Sequence, residues 1–167
     1  YGANEIISYC RENNIFCLLG NHDKYFLDIL DGKLEIETLV KKYGHSYNVA
    51  LKTVSEENIH FLRQLKKNKI ITYANKKVYC CHGSPIDNIE GRIYPNTELS
   101  VFQTAIKSFD YIVSGQTHHK MDRKYESTIF LNPGSLGQQR DGRGCSYMEL
   151  DLEKDTYLFH KVDYEIT

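Results

Sequence analysis

Three apolar runs in this chain end the same way, each opening onto a short polar segment that carries a histidine. Ile15-Phe16-Cys17-Leu18-Leu19 runs into Gly20-Asn21-His22-Asp23, and Val78-Tyr79-Cys80-Cys81 runs into His82-Gly83-Ser84-Pro85. Tyr111-Ile112-Val113 runs into Ser114-Gly115-Gln116-Thr117-His118-His119. Continuous apolar runs of this length suit strands buried on both faces, as in a parallel sheet. In open α/β sheets, ligands bind beyond the carboxyl ends of such strands. The repetition therefore predicts an α/β fold whose working edge collects His22, His82 and His118. One histidine in a loop is ordinary, but three delivered to one sheet edge point to a metal. Imidazole mixed with amide or carboxylate oxygens suits a borderline divalent ion such as Mn, Fe, Zn or Ni.

The intervening segments read as helices and short strands. Asn4 is expected to cap a short helix carrying Ile6, Ile7 and Cys10 on one face. From about residue 24 to 54 the spacing turns helical, with Gly44 as a stop, and this stretch reads as an inserted helical cap. Ser55-Glu56-Glu57-Asn58 opens a further helix with Ile59, Leu62 and Leu65 on one face. Strands are expected at 70–73 and 77–81, a helix from Thr97 to about Phe109, and a strand over 129–131 that ends at Asn132-Pro133-Gly134-Ser135. Two more strands, about 145–151 and 156–163, close the chain as a hairpin.

Composition removes several function classes. A chain of 167 residues is expected to form one domain, and a net charge of -1 supplies no field for a polyanion such as nucleic acid. No apolar run approaches the ~20 residues that span a bilayer, so a soluble protein with no membrane partner is expected. The five cysteines include no CxxC pair, and Cys80 and Cys81 are adjacent, which suits buried thiols in a reducing cytoplasm rather than disulfides. Adjacent strand residues face opposite sides, which also disfavours redox chemistry there. Neither Ser84 nor Ser135 lies in a Gly-x-Ser-x-Gly elbow, so serine hydrolysis has little support.

Taken in order, the motifs say more. Gly20-Asn21-His22-Asp23, Cys81-His82-Gly83, Gly115-Gln116-Thr117-His118 and Asn132-Pro133-Gly134-Ser135-Leu136-Gly137-Gln138, followed by Arg140-Asp141-Gly142, resemble four motifs of one family. These are the GNH(D/E), GH, GHTH and NPGS segments of the calcineurin-like binuclear metallophosphoesterases, in the branch of small bacterial and archaeal phosphodiesterases. The resemblance implies a four-layer αββα sandwich, with two mixed sheets face to face and helices outside. It implies two divalent metal ions, with Asn21, His82 and the residue at Gln116 serving the second and His118 the first. His22 would be the general acid, Asp23 could orient its ring, and amides around Gly134 and Ser135 would cradle phosphate. The substrate expected is a small-molecule or nucleotide phosphoester, hydrolysed by a metal-activated water.

Two departures qualify the resemblance. Gln116 stands where the family has histidine, and an amide binds divalent ions through oxygen and more weakly; His119 is an alternative donor. The family's Asp-x-His and Gly-Asp motifs do not occur in these 167 residues. The expectation is a single domain over 1–167 whose N-terminal strand or strands are missing, inactive by itself. The same superfamily includes a retromer subunit that uses a similar fold as a protein-binding scaffold with a degraded metal site. Gln116 and the absent motifs favour that alternative. Asn21, His22, His82 and His118 together favour the enzyme.

Overall fold

A computed structural model describes residues 2–163. The chain divides into two compact units, residues 1–66 and 67–167.

The first unit is helical. It comprises α1 (Ala3–Glu12), α2 (Asn21–Leu30), α3 (Ile36–Tyr43), α4 (Ser46–Thr53) and α5 (Glu56–Gln64). Phe26, Leu39, Tyr47 and Leu62, one from each of α2 to α5, form its buried core. Gly44 ends α3 at φ 69°, a conformation that costs glycine little. Ser55 caps α5 by accepting the Asn58 N–H at 3.4 Å. The N-cap of α1 is Gly2 rather than Asn4. The Asn4 side chain turns instead to α5, where its Oδ1 accepts the Ser55 N–H at 3.0 Å and an Asn58 amide hydrogen at 2.8 Å. Asn58 is fully buried, and its Oδ1 accepts from Arg11 Nε at 3.0 Å. A buried amide needs all its partners, and α1 supplies them.

The strand expected at 15–19 does not form. Its pairing is limited to a parallel bridge between Leu18 and Lys66, with the Leu19 N–H donating to Lys66 O at 2.9 Å. Ile15 and Phe16 are 42% and 51% exposed. A strand exists through its ladder, and among the described residues of this unit the segment forms a single bridge instead of a ladder.

The second unit is built on sheets. β1 (Asn68–Tyr73), β2 (Lys76–Cys81), β3 (Tyr111–Val113), β4 (Met121–Tyr125) and β5 (Thr128–Asn132) form a mixed sheet of order β1-β2-β3-β5-β4. β2, β3 and β5 run parallel, and the two edge strands are antiparallel to their neighbours. β6 (Ser146–Asp151) and β7 (Thr156–Lys161) form the expected hairpin.

Strand periodicity explains the layers. Val78, Tyr111 and Leu131 cluster with Met148, Leu150 and Tyr157 of the hairpin. Their strand neighbours Ile112 and Phe130, pointing the other way, pack with Leu99, Phe102 and Ile106. The result is a helix layer, a five-stranded sheet and a two-stranded sheet. The α/β class expected from the sequence holds, and the central parallel strands are buried on both faces.

Two elements differ from expectation. The helix expected from Thr97 to about Phe109 is a 3-10 turn, Leu99–Phe102, followed by the four-residue α6, Gln103–Ile106. The Phe109 N–H donates to Ile106 O at 2.9 Å, tightening the chain into the turn that enters β3. β4 was not expected, because Asp122, Arg123 and Lys124 make it polar. It is an edge strand, and charge on an edge discourages pairing with other chains.

Candidate active site

The Gly20–Asp23 segment opens α2. Gly20 is extended at the N-cap, and Asp23 Oδ2 accepts its N–H at 2.8 Å. A carboxylate in the first helical turn also complements the helix dipole. Asn21 is buried, whereas His22 is exposed. The His22 ring packs against Tyr43 at 4.7 Å between centroids and stacks near Tyr47 at 5.9 Å. Its Nδ1 lies 2.5 Å from the Tyr47 hydroxyl. His22, Asp23, Ser46 and Tyr47 line a mainly apolar cavity of about 190 Å³ with Phe26, Ala50, Val54 and Leu62. The tyrosines are site neighbours that sequence reasoning missed.

In the sheet unit, three loops meet at the carboxyl ends of β2, β3 and β5. After β2 the chain turns sharply, with the Gly83 N–H donating to Asn88 O and the Ser84 N–H to Asp87 O, both at 2.7 Å. A Cβ on residue 83 would lie 2.5 Å from Asp87 O, so glycine is required there. After β3, the Gly115 N–H donates to His82 O at 2.9 Å. This bond brings the two loops together, and His82 Nε2 then lies 2.5 Å from Gln116 Oε1.

The β3 loop is held in an unusual shape. Gln116 and His118 have φ of 60° and 59°, in the left-handed region that side chains disfavour. Asn132, fully buried at the end of β5, pins it. Its Nδ2 donates to Gly115 O at 2.7 Å and to Thr117 Oγ1 at 3.1 Å, while its Oδ1 accepts the Gly134 N–H at 3.0 Å. The Gly134 amide is therefore engaged within the protein. Ser135 Oγ accepts the Gln138 N–H at 3.0 Å. Despite the desolvation that burial imposes, the backbone N–H groups of Arg143 and Lys120 hold the Asp141 carboxyl below its ordinary pKa.

These contacts also fix histidine tautomers. His118 Nδ1 lies 2.6 Å from Gln138 O, and a carbonyl can only accept, so Nδ1 carries the proton and Nε2 presents a lone pair. The same argument applies to His119, whose Nδ1 donates to Thr117 O at 2.7 Å beside the Tyr94 ring. A histidine whose far nitrogen is anchored to a carbonyl is the usual form of a metal ligand.

The donor set in this unit fits a divalent ion. Gln116 is 8% exposed, and its Nε2 is buried without a hydrogen-bond partner. The two ends of an amide are isosteric, so rotating it puts an oxygen in that position instead. His82, Gln116 and His118 thus offer imidazole and amide donors of the kind a borderline cation takes. Among the described residues, no three His, Cys, Asp or Glu side chains gather within either unit.

Comparison with known proteins agrees with this architecture. The sequence pattern defining the calcineurin-like phosphoesterase superfamily domain matches residues 3–155. The chain belongs to this superfamily. An uncharacterized protein of Methanocaldococcus jannaschii is 29% identical over 186 residues, covering 99% of this chain and 73% of its own. Two crystal structures share the fold. A hypothetical protein of Pyrococcus horikoshii matches with a TM-score of 0.75 at 18% identity, over 97% of this chain and 68% of that one. A metallophosphoesterase of Sphaerobacter thermophilus matches with a TM-score of 0.72 at 22% identity, over 98% and 72%. In this calcineurin-like phosphoesterase chain, His82 follows parallel strand β2, and Gln116 and His118 lie in the loop that follows β3. Among the described residues no helix is long and apolar enough to cross a membrane.

Proposed function

We propose that this chain serves a metal-dependent phosphoesterase that hydrolyses small-molecule or nucleotide phosphate esters. The observation that carries this reading is the His82–Gln116 contact at 2.5 Å, within a chain matched to the phosphoesterase superfamily over residues 3–155. Two divalent ions, when bound, would polarise the phosphoryl oxygens and activate the attacking water. His82 and Gln116 would hold one ion, with Asn21 assigned to it by the family pattern. His118, through Nε2, would serve the other. His22 would donate a proton to the departing oxygen, a role that general acid catalysis makes worth ~10²–10⁴ in rate. Asp23 is its sequence neighbour, and that carboxylate also caps α2. Backbone amides of the segment that includes Gly134 and Ser135 would contribute to phosphate binding. The cap role of residues 24–54 and a cytoplasmic setting belong to the same reading.

The test combines metal analysis with turnover of the protein as its source makes it. His82→Ala is expected to lower bound metal, and His22→Ala to leave metal unchanged while slowing esters with poor leaving groups. Gln116→His is expected to tighten metal binding. Metal loss in His22→Ala would overturn the division of roles, and metal-independent binding without turnover would favour a protein scaffold.

A further inference from the structure

Two of the five cysteines meet in the helical unit. Beyond α1 the chain turns at Asn14, which has φ 52°; the Asn14 N–H donates to Arg11 O at 3.3 Å and the Ile15 N–H to Cys10 O at 2.9 Å. This turn folds the chain back along the helix it has just left and brings Cys17 to Cys10. The Cys17 thiol donates to Ile15 O at 3.5 Å, and it also interacts with the Cys10 thiol. Both cysteines are free and half-buried, and both line one cavity of about 220 Å³ that reaches Asp23 in the first turn of α2. Neither takes part in the proposed phosphoester chemistry.

We propose that Cys10 and Cys17 form a reversible disulfide that locks residues 15–19 onto α1, with a low-molecular-weight disulfide of the glutathione type as oxidant. The Cys10 thiolate attacks one sulfur of that disulfide, which forms a mixed disulfide and expels the other half as a thiolate. Cys17 then attacks the Cys10 sulfur, the Cys10–Cys17 bond forms, and the second half leaves. The two protein thiols lose two electrons and two protons, and the external disulfide takes these up to become two thiols. Burial, together with the neighbouring Cys10 thiol, pushes the Cys17 thiol up to about 11. Cys17 therefore takes the second step, in which the sulfur it attacks already lies beside it. The remaining cysteines are in the sheet unit, where Cys80 and Cys81 are adjacent strand residues that face opposite sides. Once made, the bond adds a covalent tie to a segment whose backbone pairing is the single bridge from Leu18 to Lys66.

The test uses the whole chain in buffers of oxidised and reduced glutathione, with remaining free thiols alkylated before digestion. Trypsin cuts after Arg11 and Lys24, which puts Cys10 and Cys17 in separate peptides, 1–11 and 12–24, that hold no other cysteine. The expected product is these two peptides joined, lighter than their sum by two hydrogens and separated again by dithiothreitol. At one buffer ratio it should form on the order of tenfold more in the folded chain than in urea, because the fold holds the two thiols together. Backbone amides of residues 15–19 should exchange several-fold more slowly in the oxidised protein. Equal yields in the folded and urea-unfolded chains would overturn the proposal, since closeness in sequence would then account for the bond. A glutathione adduct that persists at Cys10 with no joined peptide would overturn it too, as would unchanged exchange over 15–19 in the linked protein. Cys10→Ser should abolish the slowing of exchange, and its persistence there would refute the assignment to this pair.

Discussion

Asn132→Leu is the substitution that most directly probes how the sheet unit supports its loops. The side chains are similar in size, but leucine deletes three hydrogen bonds. Nδ2 loses Gly115 O and Thr117 Oγ1, and Oδ1 loses the Gly134 N–H. These losses are unequal. Gly115 O still accepts the Thr117 N–H at 2.6 Å, and Thr117 Oγ1 still has Ile93 O at 3.4 Å. The Gly134 N–H loses the acceptor that Asn132 provides. Losing that acceptor costs ~1–3 kcal/mol if nothing replaces it, and each of the other two bonds contributes ~0.5–1.5 kcal/mol net. The sum is about 4 kcal/mol, before any relaxation of the left-handed residues Gln116 and His118. The chain has no tryptophan but 13 tyrosines, so urea unfolding can be followed by tyrosine fluorescence and by circular dichroism. With a urea dependence of ~1–3 kcal/mol per M, the midpoint should fall by roughly 1–4 M. A fall under about 0.3 M at unchanged slope would refute the claim that Asn132 pins these loops.

Other substitutions read other parts of the structure. Gly134→Ala puts a Cβ 2.5 Å from Ser146 Oγ at φ 86°, and that hydroxyl is tied to Pro133 O at 2.7 Å. Gly142→Ala, at φ 71° with nothing within 4 Å, carries only the left-handed cost of ~1–2 kcal/mol. Thermal melting should therefore rank Gly134→Ala as the more damaging, and equal shifts would count against the close approach. Hydrogen bonds from Arg63 and Lys33 lower the Asp31 pKa from 3.8 to about 2. A depressed folded pKa gives stability that is present above the unfolded value and lost as pH falls from about 4 to 2. Asp31→Asn should flatten the stability profile across that window, and an unchanged profile would refute the assignment. Burial pushes the Cys81 thiol up to about 12. Iodoacetamide at pH ~8 should therefore modify it only after unfolding, since the thiolate is the nucleophile; rapid labelling of the folded protein would contradict its burial.

The parallel centre of the sheet was legible because strands covered on both faces are written as unbroken apolar runs. β2, β3 and β5 all read this way. The same pattern misled at 15–19, where composition signalled a strand but no ladder exists within the helical unit. β4 failed in the opposite sense, because its edge position selects charged residues that mask the alternation of Met121, Arg123 and Tyr125. Among the candidate site residues, His82 and Gln116 were legible as resembling motif members, but their contact was not, since 34 positions separate them in sequence. Tyr43 and Tyr47 were invisible as neighbours of His22. Helical periodicity assigns them to a face without saying which side chain on another helix that face will meet.

Register explains why separate motifs meet in the sheet unit. Cys80 pairs with Val113, and Val113 pairs with Leu131, so the three parallel strands are aligned at their carboxyl ends. The residues that follow leave the sheet at one level. The Gly115 N–H can therefore reach His82 O, and Asn132 can reach Gly115 O, with no long side chain spanning a gap. This alignment also makes the strained loop affordable. Gln116 and His118 each cost ~1–2 kcal/mol in the left-handed region, of the same order as the hydrogen bonds converging on Gly115 and Thr117 from both neighbouring strands. Those bonds depend on register. A single residue inserted before Ser114 would shift Gly115 away from both His82 and Asn132, removing the compensation while keeping the strain. The spacing from Val113 to Gly115 is thus a structural requirement of the sheet edge.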